Sequence, residues 1–357
     1  MKRIAIIGAG GFVGSRIVEM SRFSGEFEVV PIVRSPKGAA RLARFGPIWQ
    51  FGDARYPERL TPLIKGCDAV VNVTVGEFGA MSETTTAIRQ ACVNAGVPRF
   101  IHTSSAEVFG RVEDPAINDD AWPSKHWMPY ACAKIAAEAA LRAHFSDPKV
   151  GCVILRPGLI WGVRSPWVEG PATEILAGKA FLLGGGKAAC NLINVDNLIR
   201  QILGVVDHAP VSGCFNVSDD ESLDWHTYYA ALTKAMGVDF KTIHQLPGGP
   251  YRPSMAGRFA DFKQSALAQQ IKTRLSRPTK LKLARLVGKF LSPVTVTGVE
   301  QPSQPTVTRA TWHLQNTVRK LPNAKYRQTF GRKNELDFAA GMAATAAWLQ
   351  ASGFTAA

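Results

Sequence analysis

The sequence has no CxxC pair, and its six cysteines (Cys67, Cys92, Cys132, Cys152, Cys190 and Cys214) are scattered without closely spaced histidines beside them. That pattern excludes the usual zinc arrangements and argues for reduced, mostly buried thiols rather than a disulfide framework, so no metal site is expected. No apolar run approaches the roughly 18 residues that a membrane span requires. After Met1-Lys2-Arg3 the apolar stretch Ile4 to Ile7 meets glycines at once. It is too short for the core of a signal peptide, so a β-strand in a cytoplasmic chain is the expectation. Internal repeats and low-complexity tracts are also missing. The 46% hydrophobic and 20% charged content over 357 residues is that of an ordinary folded protein, long enough for two domains or one large α/β domain with a cap.

Acids are nearly missing from one region. Between Arg252 and Lys333 the chain has 17 Lys and Arg against two acids, Asp261 and Glu300, a net of +15, and the rest nets −1 of the total +14. Within it, Arg274 to Leu291 interleaves Leu281, Leu283, Leu286, Val287 and Phe290 with cations. Three uses stay open: a solvated variable surface, helices packed on the protein's own cap, or a surface for phosphate-bearing ligands or anionic lipid headgroups. Nucleic acid is not expected, because no recognition motif accompanies the charge.

What is present begins with Tyr130-Ala131-Cys132-Ala133-Lys134. Ile135, Ala139 and Leu141 follow at helical intervals, so Tyr130 and Lys134 share one helix face. An ammonium beside a phenol favours the phenolate and makes the pair a candidate proton donor and acceptor. Moving a tyrosine from a pKa of about 10 to about 7 takes about 4 kcal/mol. Any helix can carry this spacing, so the rest of the chain must support it.

Residues 2–7 form an apolar strand that runs into Gly8-Ala9-Gly10-Gly11-Phe12-Val13-Gly14, followed by a helix from Ser15 to about Arg22 and a strand at about Phe27–Val33. Strand, glycine turn, helix, strand is a dinucleotide-binding unit. Val13 stands where GxGxxG needs glycine, and the spacing that fits is GxxGxxG through Gly8, Gly11 and Gly14. The backbone of this turn, Gly8, Gly10, Gly11, Phe12, Val13 and Gly14, is expected to cradle a pyrophosphate at the helix N-terminus. The second strand ends at Val33-Arg34-Ser35 with no acid for a ribose 2′-hydroxyl. Arg34 and the Ser35 hydroxyl suit a 2′-phosphate instead, so NADP is expected, with NAD the alternative. Asp53 either places a carboxylate near the adenine or caps the next helix. Thr74, ending the strand from Ala69, and Pro157, after the strand Gly151 to Leu155, complete the expected cofactor residues. Ser105 ends the strand from Arg99 and falls at the carboxyl edge of the sheet, where doubly wound folds bind ligands.

This alternation predicts an α/β protein with a Rossmann-type doubly wound parallel sheet and a smaller C-terminal substrate cap. Residues 1–165, completed by about 190–220, form the sheet domain. Residues 166–189 and 221–357 form the cap, with a basic insertion over about 252–333. Asn334–Phe354 reads as a last helix, with Leu336, Phe338, Met342, Ala346 and Leu349 on its apolar face.

Gly8-x-x-Gly11-x-x-Gly14, Thr103-Ser104-Ser105-Ala106-Glu107-Val108-Phe109-Gly110, Tyr130-x-x-x-Lys134, Leu155-Arg156-Pro157-Gly158 and Asn194-Val195-Asp196-Asn197 occur in that order. Together they resemble the extended short-chain dehydrogenase/reductases, the NAD(P)-dependent epimerase/dehydratase group, over about residues 1–245. The resemblance implies Tyr130 as general acid/base, Lys134 lowering its pKa and holding the nicotinamide ribose, and Ser105 bonding the reacting oxygen. Departures narrow the chemistry. Ala106 replaces the aspartate that serves sugar 4,6-dehydratases, so that dehydration is not expected. Glu107 is a second acid/base or a turn cap. Cys190 stands where nucleotide-sugar members often carry arginine, and Arg164, just past Trp161-Gly162, is the candidate substitute cation. The expected activity is hydride transfer between NADP and a carbonyl or secondary alcohol of a small or amphiphilic substrate. A nucleotide-sugar or lipid-linked-sugar epimerase is the alternative. A non-catalytic NADP sensor is disfavoured by the full Ser105, Tyr130 and Lys134 set. A homodimer and a weak contact of 252–333 with an anionic membrane surface, making the chain peripheral, stay open.

Overall fold

Strand Lys2–Ile7 sorts its side chains by parity. Ile4 and Ile6 enter one apolar cluster and Ala5 and Ile7 another, and all four are buried. A strand covered on both faces reads as an unbroken apolar run, which is why this stretch shows no polar alternation. The computed structural model, which describes residues 1–46, 48–110, 117–123, 126–265, 305–331 and 334–355, extends this to seven parallel strands. Their spatial order is Gly213–Val217, Gly151–Pro157, Arg99–Thr103, Ala69–Asn72, Lys2–Ile7, Phe27–Val33 and Gln50–Phe51. The chain steps outward from Lys2–Ile7 in one direction through residues 27–51 and in the other through residues 69–157. A crevice opens between the carboxyl ends at that reversal.

Helices Phe12–Ser24 and Val195–Asp207 cover one face, contributing Ile17, Val18, Leu198, Ile199 and Ile202. Pro57–Ile64, Met81–Ala95 and Pro129–Arg142 cover the other, contributing Leu60, Ile64, Ile88, Ala91 and Leu141. A third cluster forms the cap core, where Trp161, Val168, Leu182, Trp225, Tyr228, Leu232, Met342 and Leu349 meet. Asp219 joins cap to sheet: its carboxylate accepts from Trp161 Nε1 (2.9 Å), Asn194 N (2.8 Å) and Asn197 Nδ2 (2.8 Å).

Three boundaries differ from the sequence reading. The first helix starts at Phe12, not Ser15, because Gly11 is itself the N-cap. The strand from Gly151 runs on to Pro157, since pairing with the strand Gly213–Val217 continues to Pro157 opposite Val217. The last helix begins at Phe338 rather than 334, where the Asp337 side chain accepts from Ala340 N at 2.7 Å and fixes the start. The basic stretch 274–291 lies outside the described residues. Among the described residues no helix is long and apolar enough to cross a membrane.

The helix Pro129–Arg142 is tied to the sheet by a buried charge pair. Arg156 donates to both oxygens of Glu138, Nε at 3.0 Å to Oε1 and Nη2 at 2.7 Å to Oε2, with the side chains 0% and 1% exposed. Ser104 donates to the same carboxylate, and Arg156 Nη1 reaches the carbonyls of Asp119 and Ala121, both at 3.1 Å. Glu138→Leu should therefore cost about 3–5 kcal/mol, because it leaves a guanidinium buried without its partner. Glu138→Leu with Arg156→Leu should recover much of that loss in urea unfolding. A double variant as unstable as the single one would show that packing, not charge, fixes this helix.

Candidate active site

A cavity of about 880 Å³ opens at the strand reversal and extends beneath the cap. Its floor at one end is the glycine turn. Gly8 has φ +90°, and a Cβ there would lie 2.9 Å from the Thr74 side chain. A Cβ at Gly14 would meet the Gly8 carbonyl oxygen at 2.3 Å, so that glycine lets the helix sit tightly on the turn. Gly8, Gly11, Phe12 and Val13 line the cavity, whereas Gly10 and Gly14 pack behind it. The helix Phe12–Ser24 has no side-chain cap and no acid in its first turn. Its leading N–H groups are left for an anion, and the turn fits a dinucleotide pyrophosphate on that ground.

Arg34 and Asp53 line the same end. Asp53 is held bidentately by Arg55, with Nη2 at 2.6 Å, and accepts from Arg55 N at 3.1 Å. The Arg55 contact, with the Arg34 charge adding, keeps its carboxyl below the usual range. Arg34 is exposed and has no ion pair among the described residues. Ser35 is off the wall and caps the helix Pro36–Leu42, accepting from Gly38 N at 3.4 Å. Thr74 is aimed by Asn72, whose Oδ1 accepts from both its N (3.1 Å) and its Oγ1 (2.8 Å). Asn72 Nδ2 in turn contacts His102 Nδ1 at 3.1 Å. Burial holds that fully enclosed imidazole neutral.

At the other end Ser105, Glu107 and Tyr130 share the cavity with Pro157. Ser105 Oγ accepts from Glu107 N at 3.1 Å and bonds the Tyr130 side chain. Burial pushes the Tyr130 pKa up, the Ser105 hydroxyl pulls it back, and the Glu107 charge adds to the rise. The sequence reading expected Lys134 to favour the phenolate, and the geometry differs. Lys134 Nζ donates to the Thr103 carbonyl at 2.7 Å, lies 5.9 Å from the Tyr130 ring centre, and is off the cavity wall. Burial brings its pKa down to about 8. The phenol therefore stands protonated, as an acid.

Glu107 is pushed up to about 7 by burial. Its backbone N–H, not its side chain, completes the turn, and its Oε1 lies 3.7 Å from His126 Nε2. His126 Nδ1 accepts from Met128 N at 3.0 Å, which leaves the ring proton on Nε2, facing Glu107. Arg164 and Cys190 are not brought to the cavity wall. Arg164 is exposed at φ 64°, and Cys190 is buried in the cap core with its thiol raised well above the usual range. The sequence alone does not mark many of the other wall residues, among them Met128, Leu159, Ile160, Trp167, Trp225 and Leu314. These come from five separate stretches with no shared local pattern.

Residues 4–218 match the family described as NAD dependent epimerase/dehydratase. The chain is 23% identical over 273 residues to sterol-4-alpha-carboxylate 3-dehydrogenase, decarboxylating, of Dictyostelium discoideum, covering 71% of this chain and 83% of that one. It is 28% identical over 265 residues to UDP-glucose 4-epimerase of Vibrio cholerae, covering 69% and 78%. Among solved structures, dTDP-glucose 4,6-dehydratase of Bacillus anthracis in complex with NAD shares the fold at TM-score 0.69 and 14% identity, over 98% of this chain and 97% of that one.

The raised Glu107 pKa has a direct consequence for stability. The folded state binds this proton more tightly than the unfolded chain, so the carboxyl destabilises the fold above pH 7 and ceases to do so below about 4.5. Across that window the term is on the order of 3 kcal/mol. Glu107→Gln should remove it, so urea unfolding at pH 5 and pH 8 should show the variant gaining on the parent as pH rises. A constant difference between the two would place the carboxyl at an ordinary pKa.

Proposed function

The chain belongs to the NAD dependent epimerase/dehydratase family and is an NAD(P)-dependent enzyme, and from that premise we propose that it reduces a carbonyl, or oxidises the matching secondary alcohol, with NADP as its preferred cofactor. The observation that carries this reading is the meeting of a hydrogen-bonded Ser105–Tyr130 pair with an open glycine turn in one cavity. When bound, the nicotinamide supplies or accepts the hydride. Ser105 holds the substrate oxygen, and Tyr130, protonated in its buried setting, gives that oxygen its proton. The Lys134 ammonium, one helical turn along, offsets the negative charge left on the phenol. Arg34, exposed and without an ion partner among the described residues, pairs with a 2′-phosphate.

Arg34→Ala should cut the preference for NADPH over NADH by about 10- to 100-fold, the size of one charge-assisted contact of roughly 1.5–3 kcal/mol. Nicotinamide fluorescence titrations measure this, and equal parental affinities for the two cofactors would remove the NADP assignment. Tyr130→Phe should keep cofactor affinity and lose turnover by a factor on the order of 10² to 10⁴. Near-normal turnover would mean another acid. Cofactor that survives purification with no net redox chemistry would assign an epimerase instead.

The same proposal includes a salt-sensitive contact with an anionic membrane surface. On the helix Met255–Gln264, Met255, Phe259 and Phe262 are 81%, 40% and 49% exposed at one helical spacing, beside Arg258 and Lys263. Asp261 is engaged by Tyr251 and by Arg309 N, which leaves the cations to dominate. Pelleting with anionic vesicles at low salt, and not with neutral ones, is the expected result. Protein left in solution with both vesicle types would end this part.

A further inference from the structure

Building on the hydride-transfer reading, we propose that the substrate end of the cavity takes an uncharged, apolar carbonyl compound and turns away nucleoside diphosphate sugars. Past Ser105 and Tyr130 the wall is Met128, Leu159, Ile160, Trp167, Trp225 and Leu314. Trp225 is 4% exposed, and its Nε1 already donates to the Leu314 carbonyl at 3.1 Å, so it offers a ligand carbon surface rather than a donor. Neutral polar contacts are confined to groups such as Asn191 and Thr317.

The charge is distributed to the same effect. Among the described residues the cations on the cavity wall are Arg34 and Arg55, both at the end that carries Asp53 and the glycine turn. At the substrate end the ionisable wall groups among the described residues are Glu107 and Tyr130. Arg309, the cation near the mouth, lies over the Trp127 ring at 4.6 Å and is not part of the wall. A diphosphate seated here would bring its charge against indole and aliphatic surface and beside a carboxyl group. Burying a charge without a partner is among the most costly arrangements in a protein. A ketone with apolar flanks loses nothing comparable and gains the contact of two indoles.

The test uses the full chain loaded with NADPH, whose binding is followed first by nicotinamide fluorescence. Failure to bind NADPH and NADH alike would sink the hydride-transfer reading itself and is thereby separated from the present one; a protein that binds NADH alone is loaded with NADH instead. Two probes are then titrated by tryptophan quenching: a panel of uncharged ketones from an aliphatic methyl ketone to a ketosteroid, and UDP-glucose. At least one ketone should bind about 100-fold more tightly than UDP-glucose, the margin expected for an uncompensated buried charge. Trp167→Ala, at a position 36% exposed and safe for folding, should weaken that ketone about tenfold. UDP-glucose binding as tightly as the best ketone would overturn the proposal, and so would a ketone affinity untouched by Trp167→Ala.

Discussion

Glu138 and Arg156 form the contact on which the site depends. Two charges with no exposure to water are tolerable only if each finds nearly all its partners, and these do: a bidentate pair, the Ser104 hydroxyl, and two loop carbonyls. The pair sets the rotation of the helix that carries Tyr130 and Lys134, because Tyr130, Lys134 and Glu138 recur at four-residue intervals on one face. Ser104 adjoins Ser105, so the same carboxylate also fixes the strand end that offers the Ser105 hydroxyl to the cavity. Arg156 sits one residue before Pro157 on the cavity wall and lies between the Phe109 and Trp122 rings. One ion pair thus registers three elements against one another.

Burial governs the protonation of the groups around it. Tyr130 and Glu107 are both driven toward their neutral forms, His102 is held neutral, and Lys134 is brought down to about 8. With Tyr130 protonated and Glu107 raised to about 7, the cavity holds protons near neutral pH, while Lys134, at about 8, is still mainly an ammonium there. Alcohol oxidation requires the phenolate, and the ammonium of Lys134 is close enough to support it only once the proton has left.

The sheet was legible because its strands are buried on both faces and read as plain apolar runs between glycine-rich turns. Residues 27–33 and the glycine turn stand where the pattern put them. The state of the Tyr130–Lys134 pair was not legible from spacing: i, i+4 places two side chains on one face, but the Thr103 carbonyl draws the lysine away from the phenol. Glu138, four residues beyond Lys134 on the helix, is visible in the sequence, but its partner Arg156 is 18 residues further on, in a strand. Arg164 and Cys190, candidates for a substrate-side cation and its replaced position, both lie off this wall: Arg164 is exposed and Cys190 is packed in the cap core. The walls that do form come from Met128, residues 159–167, Trp225 and Leu314, positions joined only by the cap's folding.

This division explains how one chain can be read clearly at one end of its cavity and poorly at the other. The end with the glycine turn is built around one strand–turn–helix unit, joined by Arg34, Asp53 and Thr74 beyond the ends of neighbouring strands, so most of it follows short local patterns. The end beyond Ser105 and Tyr130 is built from side chains that converge across nearly 190 residues of sequence. Trp225, Leu159 and Leu314 belong to the cap's apolar core around Trp161 and Met342, whereas Ile160 packs against the sheet's own cluster. The cap meets the sheet through Asp219, whose carboxylate is raised to about 6 by burial yet satisfied by three donors. The apolar lining of one end thus comes from the cap and the residues that meet it, and the glycine turn of the other end from the sheet.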